Sequence, residues 1–78
     1  MSVTVGQAET VGHARHTHLH ATTGHQFVWS VTTHPLLGRE GLVFPVKNGE
    51  IEFIEIGGAD SLEEAIALIR DQDQIDQI

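Results

Sequence analysis

The chain has 78 residues, enough for one small domain, residues 1–78, whose core alone gives a thin margin of stability. It contains no cysteine, which excludes disulfides and leaves a metal ion, a second subunit or the core itself to stabilise the fold. The formal net charge is −7, and residues 50–78 carry nine acidic side chains against Arg70 alone. Because the sequence has no basic patch, we expect neither a nucleic-acid binder nor a protein of anionic membrane surfaces.

The composition also indicates the class of binding partner and the cellular compartment. The acidic second half favours solubility or a basic protein partner. No apolar run approaches the roughly 18 residues that a membrane span needs. Residues 1–4 lack the basic and apolar segments that open a signal peptide. Together with the absence of cysteine, these features predict a cytoplasmic protein.

Three strands are predicted in the first half of the chain. Weak alternation of apolar and polar residues over 3–11 indicates the first strand, with Gly6 as a candidate bulge. Residues 14–22 are predicted to form the second strand, which contains a row of histidines. Residues 25–33 are rich in aromatic and β-branched side chains, and they are predicted to form the third strand.

Two registers are open for the hairpin that joins the second and third strands. A two-residue turn would place His18 opposite Trp29. A three-residue turn that ends in Gly24 places Leu19 opposite Phe27 instead. We favour this second register, because glycine suits the left-handed position of such a turn and one buried face fixes a register strongly. One face then carries Leu19, Ala21, Phe27, Trp29 and Val31, and the other carries His16, His18, His20, Gln26, Val28 and Ser30.

The second half of the sheet is predicted from one turn. Residues 33–41 are interpreted as a loop. The Asn48-Gly49 pair lies between apolar runs, which is the pattern of a type I′ hairpin, and it therefore joins strands over 42–47 and 50–56.

This turn sets the pairing of the two strands. It pairs Lys47 with Glu50, Val46 with Ile51 and Phe44 with Phe53. Pro45 lacks an N–H group, so its strand is predicted to be an edge or to be bulged there. Ile54 and Ile56 fall out of phase with the preceding residues, which a bulge or burial on both faces would explain. Gly57-Gly58 is expected to break the strand.

A helix is predicted from Ser61 to about Gln72. Ser61 and Glu64 fit a capping box, and the apolar residues that follow recur at helical spacing. Whether residues 72–78 extend this helix or form a frayed tail stays open. The predicted class is α+β, a mostly antiparallel sheet of four or five strands with one C-terminal helix on one face. Because one helix cannot cover five strands, we expect a curved sheet or a second molecule, and we favour a homodimer.

The histidine row is the candidate metal site. Residues i, i+2 and i+4 of a strand share one face, so His16, His18 and His20 form a row with steps of roughly 6.5 Å. Adjacent imidazoles can share a Zn²⁺ or Ni²⁺ ion, and His13, His25, Glu9 or a second subunit is the candidate source of a further ligand. The plainer interpretation, which we favour, is a polar strand face without a physiological metal.

The segment His18-Leu19-His20, with Gly12 upstream of it, resembles the opening of the cupin metal-binding pattern. That resemblance implies a metal ligand at each histidine of the pair. The glutamate expected next in the cupin pattern is missing, and His25 falls at about its place. The resemblance covers about nine residues and transfers neither the cupin fold nor a cupin activity.

The leading functional hypothesis is a small acidic, non-enzymatic interaction module, a homodimer that engages a protein partner. It follows from the absence of a catalytic residue set, and a phage or mobile-element inhibitor is one version of it. The first alternative is a Zn²⁺- or Ni²⁺-binding protein that uses His16, His18 and His20, and no other cofactor is expected. The second alternative is a small enzyme whose site is completed across a dimer, with one of these histidines or His34 as general base.

Overall fold

The computed structural model describes the backbone of residues 2–76 and the side chains of residues 2–72. Residues 2–76 form six strands and one helix, and the strands make one antiparallel sheet in the order β1-β2-β3-β4-β5, with β6 also paired to β4. The elements are β1 Val3–Val11, β2 Ala14–Ala21, β3 Gln26–His34, β4 Gly38–Lys47, β5 Glu50–Ile51, β6 Gly57–Gly58 and α1 Leu62–Asp76. The predicted α+β class, with a C-terminal helix on one face of the sheet, is confirmed.

Strand β1 has the predicted bounds and the predicted bulge. Its pairing with β2 shifts between Val5 and Ala8, on either side of Gly6. A Cβ atom at Gly6 would stand 3.3 Å from the Cβ atom of His18. The glycine therefore permits a close approach of β1 to the histidine strand.

The favoured register of the β2–β3 hairpin is confirmed. Leu19 lies opposite Phe27, and Thr17 lies opposite Trp29. Gly24 closes the turn with a φ of 88°, and its N–H donates to the carbonyl oxygen of Ala21 at 3.0 Å. The alternation of apolar and polar residues therefore decides which face of β2 enters the core.

The predicted loop over residues 33–41 is wrong. Strand β3 continues to His34 and β4 begins at Gly38, so that Thr33 pairs with Arg39. The intervening turn is held by the imidazole Nδ1 of His34, which accepts the backbone N–H of Leu36 at 3.1 Å and that of Leu37 at 3.3 Å. A side-chain acceptor thus supplies the hydrogen bonds that let a short turn replace the loop.

The Asn48-Gly49 hairpin is confirmed over its first two residue pairs. Lys47 pairs with Glu50, and Val46 pairs with Ile51. The turn residues have the positive φ angles that a type I′ turn requires, 54° at Asn48 and 80° at Gly49.

The predicted strand over 50–56 is interrupted beyond Ile51. Pro45 accepts the N–H of Glu52 at 2.9 Å but has no N–H of its own to return. The chain then bulges away, and pairing with β4 resumes where Ile56 donates to the carbonyl oxygen of Val43 at 2.8 Å. Phe44 and Phe53 are therefore not ladder partners, although their rings meet edge to face with centroids 6.0 Å apart.

The Gly57-Gly58 pair does not end the sheet, because it forms β6 against Leu42 and Val43 of β4. The segment that follows leads directly into the helix. Ser61 Oγ accepts the N–H of Glu64 at 3.2 Å, as a capping box requires. The Oε2 atom of Glu64 in turn accepts the backbone N–H of Asp60 at 2.7 Å.

The helix packs on the face of the sheet that carries Leu19. It extends to Asp76, so residues 72–76 of the possible tail over 72–78 continue the helix, and residues 77–78 lie outside the described residues. The buried core consists of Leu19, Ala21, Phe27, Trp29, Val43, Ala59, Ala65 and Ile69. No helix among residues 2–76 is long and apolar enough to cross a membrane.

The segment between β6 and α1 is anchored by three residues. The indole Nε1 of Trp29 donates a buried hydrogen bond to the carbonyl oxygen of Ala59 at 3.0 Å. Ala59 in turn donates its N–H to the carbonyl oxygen of Gly41 at 3.0 Å. A Cβ atom at Gly41 would overlap the Ala59 carbonyl and would lie 2.8 Å from Trp29 Nε1. Glycine at position 41 therefore lets this segment lie directly on the sheet.

We predict that Gly41→Ala destabilises the fold by about 1–3 kcal/mol, because the added methyl group pushes Ala59 off the sheet. Gly58→Ala is the matched control, since its Cβ atom would meet no other residue closer than 3.5 Å. Urea unfolding followed by circular dichroism measures both changes. Equal unfolding midpoints for the two variants would contradict this account of Gly41.

Candidate functional site

The histidine row lies on the face of the sheet opposite to α1. We define the histidine face as the set of residues that alternation and register place there: Thr4, Glu9, Val11, Ala14, His16, His18, His20, Gln26, Val28, Ser30, Thr32, Glu40, Leu42, Phe44 and Val46. The three histidines of the row are half-buried. His13 is not part of this face, because it lines a pocket on the α1 side.

Each histidine of the row has different neighbours. His16 lies opposite Glu9 on β1 and opposite Ser30 on β3, and its Nδ1 atom is buried without a hydrogen-bond partner among the described residues. The Nε2 atom of His18 lies 3.7 Å from Oε1 of Glu9. The structure therefore brings one carboxylate to the row, at its middle histidine.

Val28 shows that the histidine row lies beside buried apolar side chains. It is completely buried, although it lies on the face that α1 does not cover. In the register it lies between His18 on β2 and Phe44 on β4. The histidine row thus borders an apolar strip and is only partly a solvated polar face.

The predicted metal ligands do not all lie on one strand of the sheet. Among residues 2–72, no group of three or more His, Asp or Glu side chains is arranged to hold a metal ion. His16, His18 and His20 share one face with Glu9 beside them, whereas His25 follows the β2–β3 turn and is exposed. A metal site at His16, His18 and His20, with His13 or His25 as a further ligand, stays a prediction.

The structure also shows where the candidate catalytic residues of the enzyme alternative lie. His34 uses its Nδ1 atom to hold the turn before β4. Ser30 lies opposite His16, but within the described part of the chain no hydrogen bond joins this serine to an imidazole. A nucleophile needs such a bond to its base. The enzyme alternative therefore stays a prediction without a paired nucleophile and base on the histidine face.

A second site, on the α1 side, was not predicted from the sequence. The helix covers only part of that face, and the sheet beyond its start borders a pocket of about 600 Å³. Arg15, Arg39 and His13 line it together with Trp29. One signal in the sequence could have revealed this pocket. Residues 13, 15 and 17 fall on the core face by alternation, yet they are polar, whereas the core face of a covered strand carries apolar side chains.

No protein-family model, curated protein or solved structure matches the chain. The function is therefore inferred from the two faces of the sheet. One presents histidines beside an apolar strip, and the other presents arginines beside the core.

Proposed function

We propose that the protein is a small, non-enzymatic interaction module that forms a homodimer through its histidine face and engages a protein partner. The supporting observation is that the face opposite to α1 is apolar along β4. Leu42, Phe44 and Val46 lie on it half-buried, while Val43 is fully buried on the other face. An antiparallel strand with water on one side alternates apolar and polar residues, and β4 does not. This strand has the composition of one that is covered on both faces.

The apolar surface continues from the sheet onto the bulge after β5. Phe53 and Ile54 are 83% and 78% exposed. The ring of Phe53 rests against that of Phe44, so the two surfaces are contiguous. Single exposed apolar residues are ordinary, whereas contiguous exposed apolar patches mark interfaces.

A second copy of the chain suits this face on grounds of charge. The apolar strip of the histidine face, Val28, Leu42, Phe44 and Val46, includes no Asp, Glu, Lys or Arg. Glu9 and Glu40 lie on the same face outside this strip, on β1 and near the start of β4. A two-fold interface places each patch against itself, so a strip without like charges avoids self-repulsion. Two such sheets can pack face to face and bury the second face of each.

The protein partner is inferred from the acidic side of the molecule. The carboxylate side chains around the bulge and the start of α1 are exposed: Glu50, Glu55, Asp60, Glu63 and Glu64. Lys47 is the cation nearby, and it pairs with Glu52 at 3.8 Å. Such a surface supports a basic protein partner. A phage or mobile-element inhibitor is the version in which that partner itself binds nucleic acid, and the absence of cysteine supports a cytoplasmic location.

Sedimentation equilibrium tests the homodimer. We expect the wild-type chain to sediment at twice its monomer mass of 8.5 kDa. Phe53→Ser should weaken association by about tenfold, because it removes an aromatic anchor from the interface. Leu37→Ser is the matched control, since Leu37 is 86% exposed but lies in the turn before β4.

Both substituted side chains are exposed, so circular dichroism should show the wild-type fold in each variant. A wild-type chain that stays monomeric at about 1 mM would overturn the homodimer. Equal weakening by Phe53→Ser and Leu37→Ser would show that the histidine face is not the interface.

A second candidate function is Zn²⁺ or Ni²⁺ binding by His16, His18 and His20. It is supported by the shared face of the three imidazoles and by the carboxylate of Glu9 beside His18. This candidate predicts that calorimetry with ZnCl₂ gives a Kd below about 10 μM, and that His18→Ala abolishes the binding. His34→Ala, outside the row, is the control that should bind as the wild type does. Weaker binding by the wild type, or no loss in His18→Ala, removes this candidate.

A further inference from the structure

We propose that the pocket on the α1 side of the sheet binds an organic carboxylate with an apolar body. Arg15 and Arg39 would hold the carboxylate, and Trp29, Val31 and Leu62 would contact the apolar part. This site lies on the opposite face of the sheet from the proposed dimer interface. It is therefore independent of the homodimer and of the metal candidate.

The pocket exists because the sheet is longer than the helix that covers it. The start of α1 at Leu62 borders the pocket, and the helix packs onward over Leu19 and the rest of the core. Beyond Leu62, the strands continue uncovered through the pairs Arg15–Val31 and Thr33–Arg39. The volume of about 600 Å³ is in the range of pockets that bind small organic molecules.

The charge of this pocket is opposite to that of the whole chain. Arg15 and Arg39 are two of only four Lys and Arg residues in a chain with net charge −7. Among residues 2–72, no Asp or Glu lines the pocket. Within residues 2–72, neither guanidinium has a carboxylate within ion-pair distance. Two neighbouring cations without a counter-ion favour an anionic ligand.

The two arginines are placed to share one carboxylate. They project from β2 and β4, the strands on either side of β3, about 10 Å apart across the sheet and offset by two residues, about 7 Å, along it. Their long side chains can converge above Val31 and Thr33, which lie between them on β3. Each guanidinium presents planar N–H donors that match the oxygens of a carboxylate. Two arginines in an otherwise acidic chain suit a single negative charge better than a polyphosphate.

The remaining walls of the pocket indicate the apolar part of the ligand. The guanidinium carbon of Arg39 lies 5.9 Å from the centroid of the Trp29 ring, a cation–π arrangement that orients this arginine. The indole N–H of Trp29 is already bonded to Ala59, and the residue is only 7% exposed, so it offers a ligand a small apolar edge. Val31 and Leu62 are half-buried beside it. An inorganic anion would make no apolar contact with these walls.

Calorimetry with octanoate, compared with octanamide, tests this proposal. The two probes share the same apolar chain and differ in charge. We expect octanoate to bind with a Kd below about 1 mM and octanamide at least about tenfold more weakly. Trp29 is the chain's one tryptophan, so its fluorescence should change on addition of octanoate and report binding at this pocket.

Three variants show whether the arginines carry the binding. Arg15→Gln and Arg39→Gln should each weaken octanoate binding by about tenfold, because each removes a charge-assisted contact to the carboxylate. Lys47→Gln removes the same charge outside the pocket and should bind octanoate as the wild type does. Circular dichroism confirms that each variant is folded, as expected for exposed side chains.

Three results would overturn the proposal. The first is a Kd for octanoate above about 10 mM. The second is equal binding of octanoate and octanamide, which would indicate an apolar surface without anion recognition. The third is equal weakening by Lys47→Gln and Arg15→Gln, which would indicate a general effect of net charge.

Discussion

The hydrogen bond from the indole Nε1 of Trp29 to the carbonyl oxygen of Ala59 is the contact on which the rest of the structure depends. It is buried, so leaving that carbonyl unpaired would cost about 1–3 kcal/mol. It forms only because Gly41 has no side chain in the space that Ala59 occupies. The bond fixes where the chain leaves β6, and therefore where α1 begins and which part of the sheet it covers.

The position of the helix gives the two faces of the sheet different properties. On the α1 side, the core ends near Trp29 and a cationic pocket begins. On the histidine face no described element covers the sheet, and Val28 is buried between side chains of the neighbouring strands. The proposed ligand site and the proposed dimer interface therefore lie on opposite faces, and each can be altered without disturbing the other.

Local patterns predicted most of the sheet, and non-local effects account for what they missed. The β2–β3 register followed from the alternation around Leu19 and from Gly24. The start of β4 was missed because Arg39 and its neighbours join the ladder without an apolar alternation. The bulge before Ile56 arises from the missing N–H of Pro45 on the facing strand. The cationic pocket depends on where the helix begins, which no residue of β2 or β4 indicates alone. The histidine row was predicted as one face, whereas its metal binding stays a prediction.

Hydrogen exchange at the indole N–H of Trp29 tests the central claim most directly. The chain has one tryptophan, so its indole proton gives a single resonance in the NMR spectrum. If the bond to Ala59 anchors the helix to the sheet, this proton exchanges only when the whole domain unfolds. Its protection should then correspond to the free energy of unfolding measured in urea. Exchange at the rate of a free indole would show that the Trp29–Ala59 contact does not hold the fold together.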